Sequence, residues 1–184
     1  NITKANKNIG GLAATTQNTT IEGCHITGTL NLTISESAGQ NAGFFVGWAK
    51  DNSTIKNCYC DGTIESNSTS SGYIGRIGGI CGNLLFSPVE IINCYSNVSI
   101  SHTGESGTGV TGCLVGANQV SNGSVTNCFS KNSPILGSGS SQNSYSSADG
   151  YVVGDGKLAT AWDSNIWEIP NTSPCFPTLK CMRE

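Results

Sequence analysis

The stretch "EIINCYS" at residues 90–96 returns in altered form as "TIEGCHI" at 20–26, "TIKNCYC" at 54–60 and "SVTNCFS" at 124–130. Each copy sets an aliphatic residue three places ahead of a cysteine: Ile21, Ile55, Ile91 and Val125 before Cys24, Cys58, Cys94 and Cys128. A ring follows each cysteine, as His25, Tyr59, Tyr95 and Phe129. The four cysteines stand 34, 36 and 34 residues apart. A period of that size marks a repeat architecture.

A second landmark travels in phase with the first. "IGGLAA" ends at Ala14, "AGFFVG" at Gly47, "IGGICG" at Gly82 and "TGCLVG" at Gly116, in steps of 33, 35 and 34 residues. Asn18, Asn52 and Asn122 each lie six residues before their cysteine, and Pro88 takes that place in the third copy. Two landmarks and a loop that keep step define four units, near 9–41, 42–76, 77–109 and 110–143, followed by a segment 144–184 in which the spacing fails.

A helical repeat of this length would place apolar residues at i, i+3, i+4 and i+7 over ten or more positions. These units instead show short β-rich runs punctuated by Gly, Asn, Ser and Asp, residues that accept unusual φ or cap the backbone. The expected fold is all-β, a parallel β-solenoid of about four coils of ~34 residues, each coil about three short strands stacked in parallel at about 4.8 Å. Like residues then lie above one another. Ile21, Ile55, Ile91 and Val125 form an aliphatic ladder, and the cysteines form a second inward ladder, Cys being small and often buried. Asn57, Asn93 and Asn127, with Gly23 in the first unit, are read as a corner ladder whose amides hydrogen-bond from coil to coil.

The open end of such a stack exposes strand edges and core, and repeat proteins cover it with an atypical cap. Trp162, Trp167 and Phe176, with Ile166 and Leu179, are the candidate lid; a sugar-binding platform is the alternative use of these rings. The first unit begins near Ile9 with no aromatic lid, so its edge is expected to stand open to a neighbour.

Composition narrows the function. Only 11% of residues are charged, against about 25% on average, and the net charge is −3. Neither nucleic acid nor anionic lipid is an expected partner. No apolar run reaches the roughly 18 residues of a membrane helix, and "NITKANKN" reads as the start of a processed or excised piece. The chain has nine cysteines, an odd number, so at least one is unpaired within it. Cys175 and Cys181 are the disulfide candidates. Without a C-x-x-C pair, no zinc site is expected.

Catalysis on this architecture would need converging carboxylates, whereas Asp51, Asp61, Asp149, Asp155 and Asp163 fall at different phases of the repeat. His25 and His102 stand alone, and no nucleophile-elbow, zincin or phosphate-loop motif occurs. Neither an enzyme activity nor a cofactor is expected. N-glycosylation triplets begin at Asn1, Asn18, Asn31, Asn52, Asn67, Asn97, Asn122 and Asn171, about twice the roughly four that this composition gives by chance.

At "IGGICG" followed by "IINCYSNVSI" the chain resembles the GLUG-motif repeats, named for a Gly-Leu-x-Gly-like core, of large bacterial surface proteins. These include adhesins akin to filamentous haemagglutinin and the region ahead of the catalytic domain in some immunoglobulin A-cleaving metalloproteases. The resemblance covers roughly residues 9–135, and "AWDSNIWEIPNTSPCFPTLK" is similar to the Trp-rich, Pro-x-Leu segment that often closes these arrays. Ala14 in place of the last Gly, and Cys113 in place of the second, depart from the pattern. The resemblance implies a scaffold without a shared active site.

The expectation is a non-enzymatic extracellular or cell-surface scaffold or adhesin module, whose partner is a protein or glycan on a surface. A filament subunit joined to copies of itself end to end, or an accessory domain of a secreted enzyme, are the alternatives. Loops 65–75 and 101–109 are the expected recognition elements, because loops on a rigid scaffold usually carry function.

Overall fold

The computed structural model describes residues 8–34, 38–68, 73–86, 88–104, 109–119, 124–132, 134, 136–139, 145–146, 162–168 and 177–180. Among these residues there is no α-helix. The first unit contributes β1 (Asn8–Gly10), β2 (Ala13–Gln17), β3 (Thr20–Glu22) and β4 (His25–Ile34). The second contributes β5 (Ala38–Gly43), β6 (Val46–Lys50), β7 (Ser53–Lys56) and β8 (Tyr59–Ser68). The third contributes β9 (Tyr73–Gly78), β10 (Cys81–Leu84), β11 (Val89–Ile92) and β12 (Tyr95–Gly104). The fourth contributes β13 (Gly109–Gly112), β14 (Val115–Asn118), β15 (Ser124–Thr126) and β16 (Phe129–Ser130). Beyond them lie β17 (Leu136–Ser138), β18 (Tyr145–Ser146), β19 (Trp167–Glu168) and β20 (Thr178–Leu179).

Each strand pairs in parallel with its counterpart in the next unit. The first sheet runs β1-β5-β9-β13, the second β2-β6-β10-β14-β17, the third β3-β7-β11-β15 and the fourth β4-β8-β12-β16-β18. β19 and β20 form an antiparallel pair. A unit thus carries four strands where about three were expected, because the apolar landmark is two strands separated by a bend at 11–12, 44–45, 79–80 and 113–114. The boundaries expected at 41/42, 76/77 and 109/110 fall inside β5, β9 and β13. Spacing fixes the period of a repeat but leaves its phase free.

Register follows the repeat. Ile21, Ile55, Ile91 and Val125 are successive partners across the third sheet, and all four are buried. Burying such a side chain contributes about 1.5–3 kcal/mol each. Cys24, Cys58, Cys94 and Cys128 follow just after these strands, and the last three are fully buried. Each thiol donates to the carbonyl two residues back, at 3.3, 3.2, 3.3 and 3.2 Å. Cys24, Cys58, Cys60, Cys81, Cys94, Cys113 and Cys128 are all unbridged. Cys175 and Cys181 lie outside the described residues.

The corner before each cysteine has a backbone cause. Gly23, Asn57, Asn93 and Asn127 take φ of 62°, 52°, 52° and 53°, the left-handed region that Gly and Asn enter most cheaply. Amide bonds between rungs occur elsewhere, from Asn41 Nδ2 to Asn8 Oδ1 at 2.8 Å and from Asn52 Nδ2 to Asn18 Oδ1 at 3.0 Å. Asn57 Nδ2 instead donates to Glu22 Oε1 at 3.4 Å, while Oδ1 of Asn57 and of Asn93 is buried without a partner.

The last glycine of the landmark marks where the second sheet crosses the first. A Cβ on Gly82 would meet the Ala42 amide nitrogen and, at 2.7 and 2.8 Å, the Gly47 and Arg76 carbonyl oxygens. On Gly47 it would meet the amide of Ile9 and the carbonyl of Ala14. These obstacles come largely from the unit before. Ala14 belongs to the first described unit and is exposed. The same edge leaves Leu12 56% exposed, whereas its counterparts Phe45, Ile80 and Leu114 are fully buried.

Two apolar clusters result. One fills the interior between the sheets and includes the aliphatic and thiol ladders. The other lies on the flank, where Tyr59, Tyr95 and Phe129 join Trp162, Trp167 and Leu179. Neighbouring residues on a strand face opposite ways, so the ring after each inward cysteine points out. His25, Tyr59, Tyr95 and Phe129 stack at centroid distances of 4.6, 4.8 and 5.2 Å. Trp162 and Trp167 pack at 4.4 Å on that column, with Trp162 Nε1 donating to Asn127 O at 2.7 Å. The described tail therefore lies along the side of the stack, over rungs of several units, where a lid across its end was expected. Burial of both tryptophans removes them as a sugar platform. Phe176 lies outside the described residues.

Candidate functional site

The longest strands, β4, β8 and β12, have ten residues each and alternate sharply. Leu30, Ile64 and Val98 point inward and are buried, as are Leu32 and Ser66. The intervening residues face outward in rows set by the register: Thr29, Thr63 and Ser99, then Asn31, Glu65 and Ser101, then Thr33, Asn67 and Thr103. The last two rows line a cleft of about 410 Å³. It lies where β8 and β12 end, so the described first residues of the loops singled out, 65–68 and 101–104, are partners in one sheet; 69–72 and 105–108 lie outside the described residues.

The cleft is built for hydrogen bonding. Its lining presents amides, hydroxyls and the carboxylate of Glu65. Behind the rim, Ser66 Oγ and His102 Nδ1 lie 2.6 Å apart, which ties β8 to β12 at the level of the opening. Nearer the ring column, Asn97 Nδ2 donates to Asp61 Oδ1 at 2.9 Å, and Thr63 Oγ1 to Thr29 Oγ1 at 3.2 Å. Such contacts between equivalent rungs hold the outer rows in line.

Titratable groups on this side serve packing. Burial pushes the Tyr59 phenol far above its usual range, and Asp61 adds to the effect. Burial does the same to Tyr95 and lowers His25, against the pull of Asp61. In the interior, the Cys94 thiol beside it and burial hold Cys58 protonated, burial holds Cys94 likewise, and burial raises Cys81 to about 12. A nucleophilic cysteine needs a depressed pKa and access, so these thiols are inert packing groups. Among the described residues, no group of three or more His, Cys, Asp or Glu is placed to hold a metal ion.

The sequon asparagines divide into two places. Asn18 and Asn52 sit exposed at one corner with φ of 50° and 55°. Asn31, Asn67 and Asn97 lie on the outward face of the fourth sheet, the first two in the wall of the cleft. A glycan on Asn31 or Asn67 would fill the cleft, so modification and binding there exclude each other. Asn122 and Asn171 lie outside the described residues. No protein-family model matches the chain, and no curated protein or solved structure matches it.

Proposed function

We propose that the chain is a β-solenoid of about four coils, akin to the GLUG-repeat scaffolds, and acts as a non-enzymatic extracellular or cell-surface adhesin module. The observation that carries this reading is the polar cleft at the ends of β4, β8 and β12, whose lining groups the in-register strands hold in rows. Its lining offers many neutral hydrogen-bonding groups and one carboxylate. Acid–base cleavage of a glycan uses a pair of carboxyl groups, whereas recognition of a glycan or a protein surface needs donors and acceptors in fixed positions. Beads coated with the chain should adhere to surfaces bearing polysaccharide or matrix protein and leave the polysaccharide intact. Release of new reducing ends would overturn the non-enzymatic reading, and failure to adhere to any such surface would overturn the adhesin reading.

A second reading has its own support. Among the described residues, the strands of the first unit terminate all four parallel sheets on one side, and Leu12 stands 56% exposed there. Unpaired parallel edges recruit further strands, which favours assembly with copies of the same chain. Sedimentation should then show a mass that rises with concentration; a constant monomer mass removes this reading and leaves the adhesin reading untouched.

A further inference from the structure

Three departures from the repeat meet beside the second sheet, where β6 and β10 end. The row Thr15, Trp48, Asn83 and Ala117 is in register across β2, β6, β10 and β14, and only Trp48 is aromatic in it. Two residues on, Lys50 pairs with Gln17. At the adjoining corner, backbone bonds link Asn18 to Asp51 and Asp51 to Phe86. All three have positive φ, 50°, 43° and 63°. Asn and Asp tolerate that conformation, but for a bulky residue it is an outlier. Phe86 holds it while the residue is 54% exposed, so burial does not explain it. Strain of this kind is kept where it serves something other than stability.

Trp48 meets both Phe86 and Lys50. The Phe86 and Trp48 rings lie 6.0 Å apart, tilted by 43°, and Lys50 Nζ stands 5.3 Å from the indole centroid. We propose that they form a binding site for a carboxylate-bearing sugar ring, a uronate unit of an acidic polysaccharide. The C–H face of a pyranose carries partial positive charge and stacks on the negative face of an aromatic ring. Phe86 supplies that face in solvent, Trp48 backs it, and Lys50 supplies the cation for the carboxylate. Gln17, exposed on the neighbouring strand, supplies further hydrogen-bonding groups for hydroxyls, beside Thr15, whose Oγ1 accepts from Asn8 Nδ2 at 3.1 Å. An exposed ring with a cation and an amide beside it suits a sugar chain better than a proline-rich peptide, which docks between aromatic ridges in a groove.

This inference rests on the adhesin reading and names a ligand for it, at a place separate from the polar cleft. Calorimetric titration of the full chain with oligogalacturonate should give saturable binding, at least about tenfold tighter than with neutral cellohexaose. Phe86→Ala should weaken it by about tenfold or more, and Lys50→Met should erase the preference for the charged sugar. Phe86→Asn should abolish binding while raising the melting temperature, because Asn accepts the positive φ; a role in packing alone would lower it. No saturable binding of oligogalacturonate, equal binding of the neutral sugar, undiminished binding by Phe86→Ala, or binding of decaproline instead would each overturn the site. If coated beads still adhere when the platform variants behave as wild type, the platform fails and the adhesin reading stands.

Discussion

Replacing Cys94 by aspartate should leave the chain without a cooperative folding transition at pH 7, whereas Cys94→Ala should fold and melt only modestly earlier. Cys94 is fully buried. Its Sγ lies 3.3 Å from Ile92 O and 3.6 Å from Ile55 O, and its amide faces Cys128 Sγ at 3.5 Å. A thiol can donate into those carbonyls. A carboxylate only accepts, so it would meet oxygen with oxygen inside an apolar column. The effective cost of a lone buried ion is several kcal/mol, comparable with the about 5–15 kcal/mol that stabilises a typical domain. Alanine loses a small side chain, at about 1–2 kcal/mol. Burial raises the folded-state pKa of the new carboxyl above its unfolded value near 3.9. Its stability is therefore greatest below about pH 4 and falls as pH rises, so partial rescue in acid is part of the expected result. Thermal melts of the two variants at pH 7 and pH 4 check this, and equal melting temperatures at pH 7 would refute a buried thiol column.

The second large effect belongs to the tail. Trp167 is 1% exposed, pairs with Leu179 in the antiparallel β19-β20 ribbon and packs on Trp162. Truncating a buried Trp to Ala costs about 3–5 kcal/mol. Here the loss should be regional, because the flank cluster is separate from the interior one. Trp167→Ala should release the tail, uncover Tyr59, Tyr95 and Phe129, and bring strong binding of a hydrophobic dye, while the far-ultraviolet β-sheet signal persists. Proteolysis should cut first between residues 144 and 184. A variant that loses all sheet signal at once would show that tail and stack form one cooperative unit.

Much of the fold is legible in the spacing because, in parallel in-register sheets, sequence period and spatial neighbourhood coincide. Ile21, Ile55, Ile91 and Val125 can be picked out as partners by counting. What counting leaves out is direction. The ring after each inward cysteine faces outward by strand alternation, and an outward column of aromatics needs a cover. That signal, joined to Trp162 and Trp167 downstream, points to a flank-docked tail. Asn57, Asn93 and Asn127 are visible as a corner, but side-chain chemistry alone suggests amide bonding where a positive φ is what selects them. The polar cleft was half legible: loops 65–75 and 101–109 stand out by composition, yet only the register of β8 with β12 pairs their described first residues, 65–68 with 101–104. Trp48 and Phe86 carry no motif and become conspicuous only against the repeat they break.

The uniform register also governs how the chain reaches this state. Contacts between neighbouring units join residues 33 to 36 positions apart, as in Asn8 with Asn41 and Tyr59 with Tyr95. Closing a loop of that length costs about 3 kcal/mol of chain entropy beyond a constant, and the cost is the same for each unit added. Search time per step is then set by the length of one unit and not by the length of the chain. Once two units have met, each further one adds onto a finished edge, as in a one-dimensional lattice. The tail does not share this economy: Trp167 reaches the flank beside Tyr59 across most of the chain, so its docking waits for the rungs it covers and belongs to the end of folding.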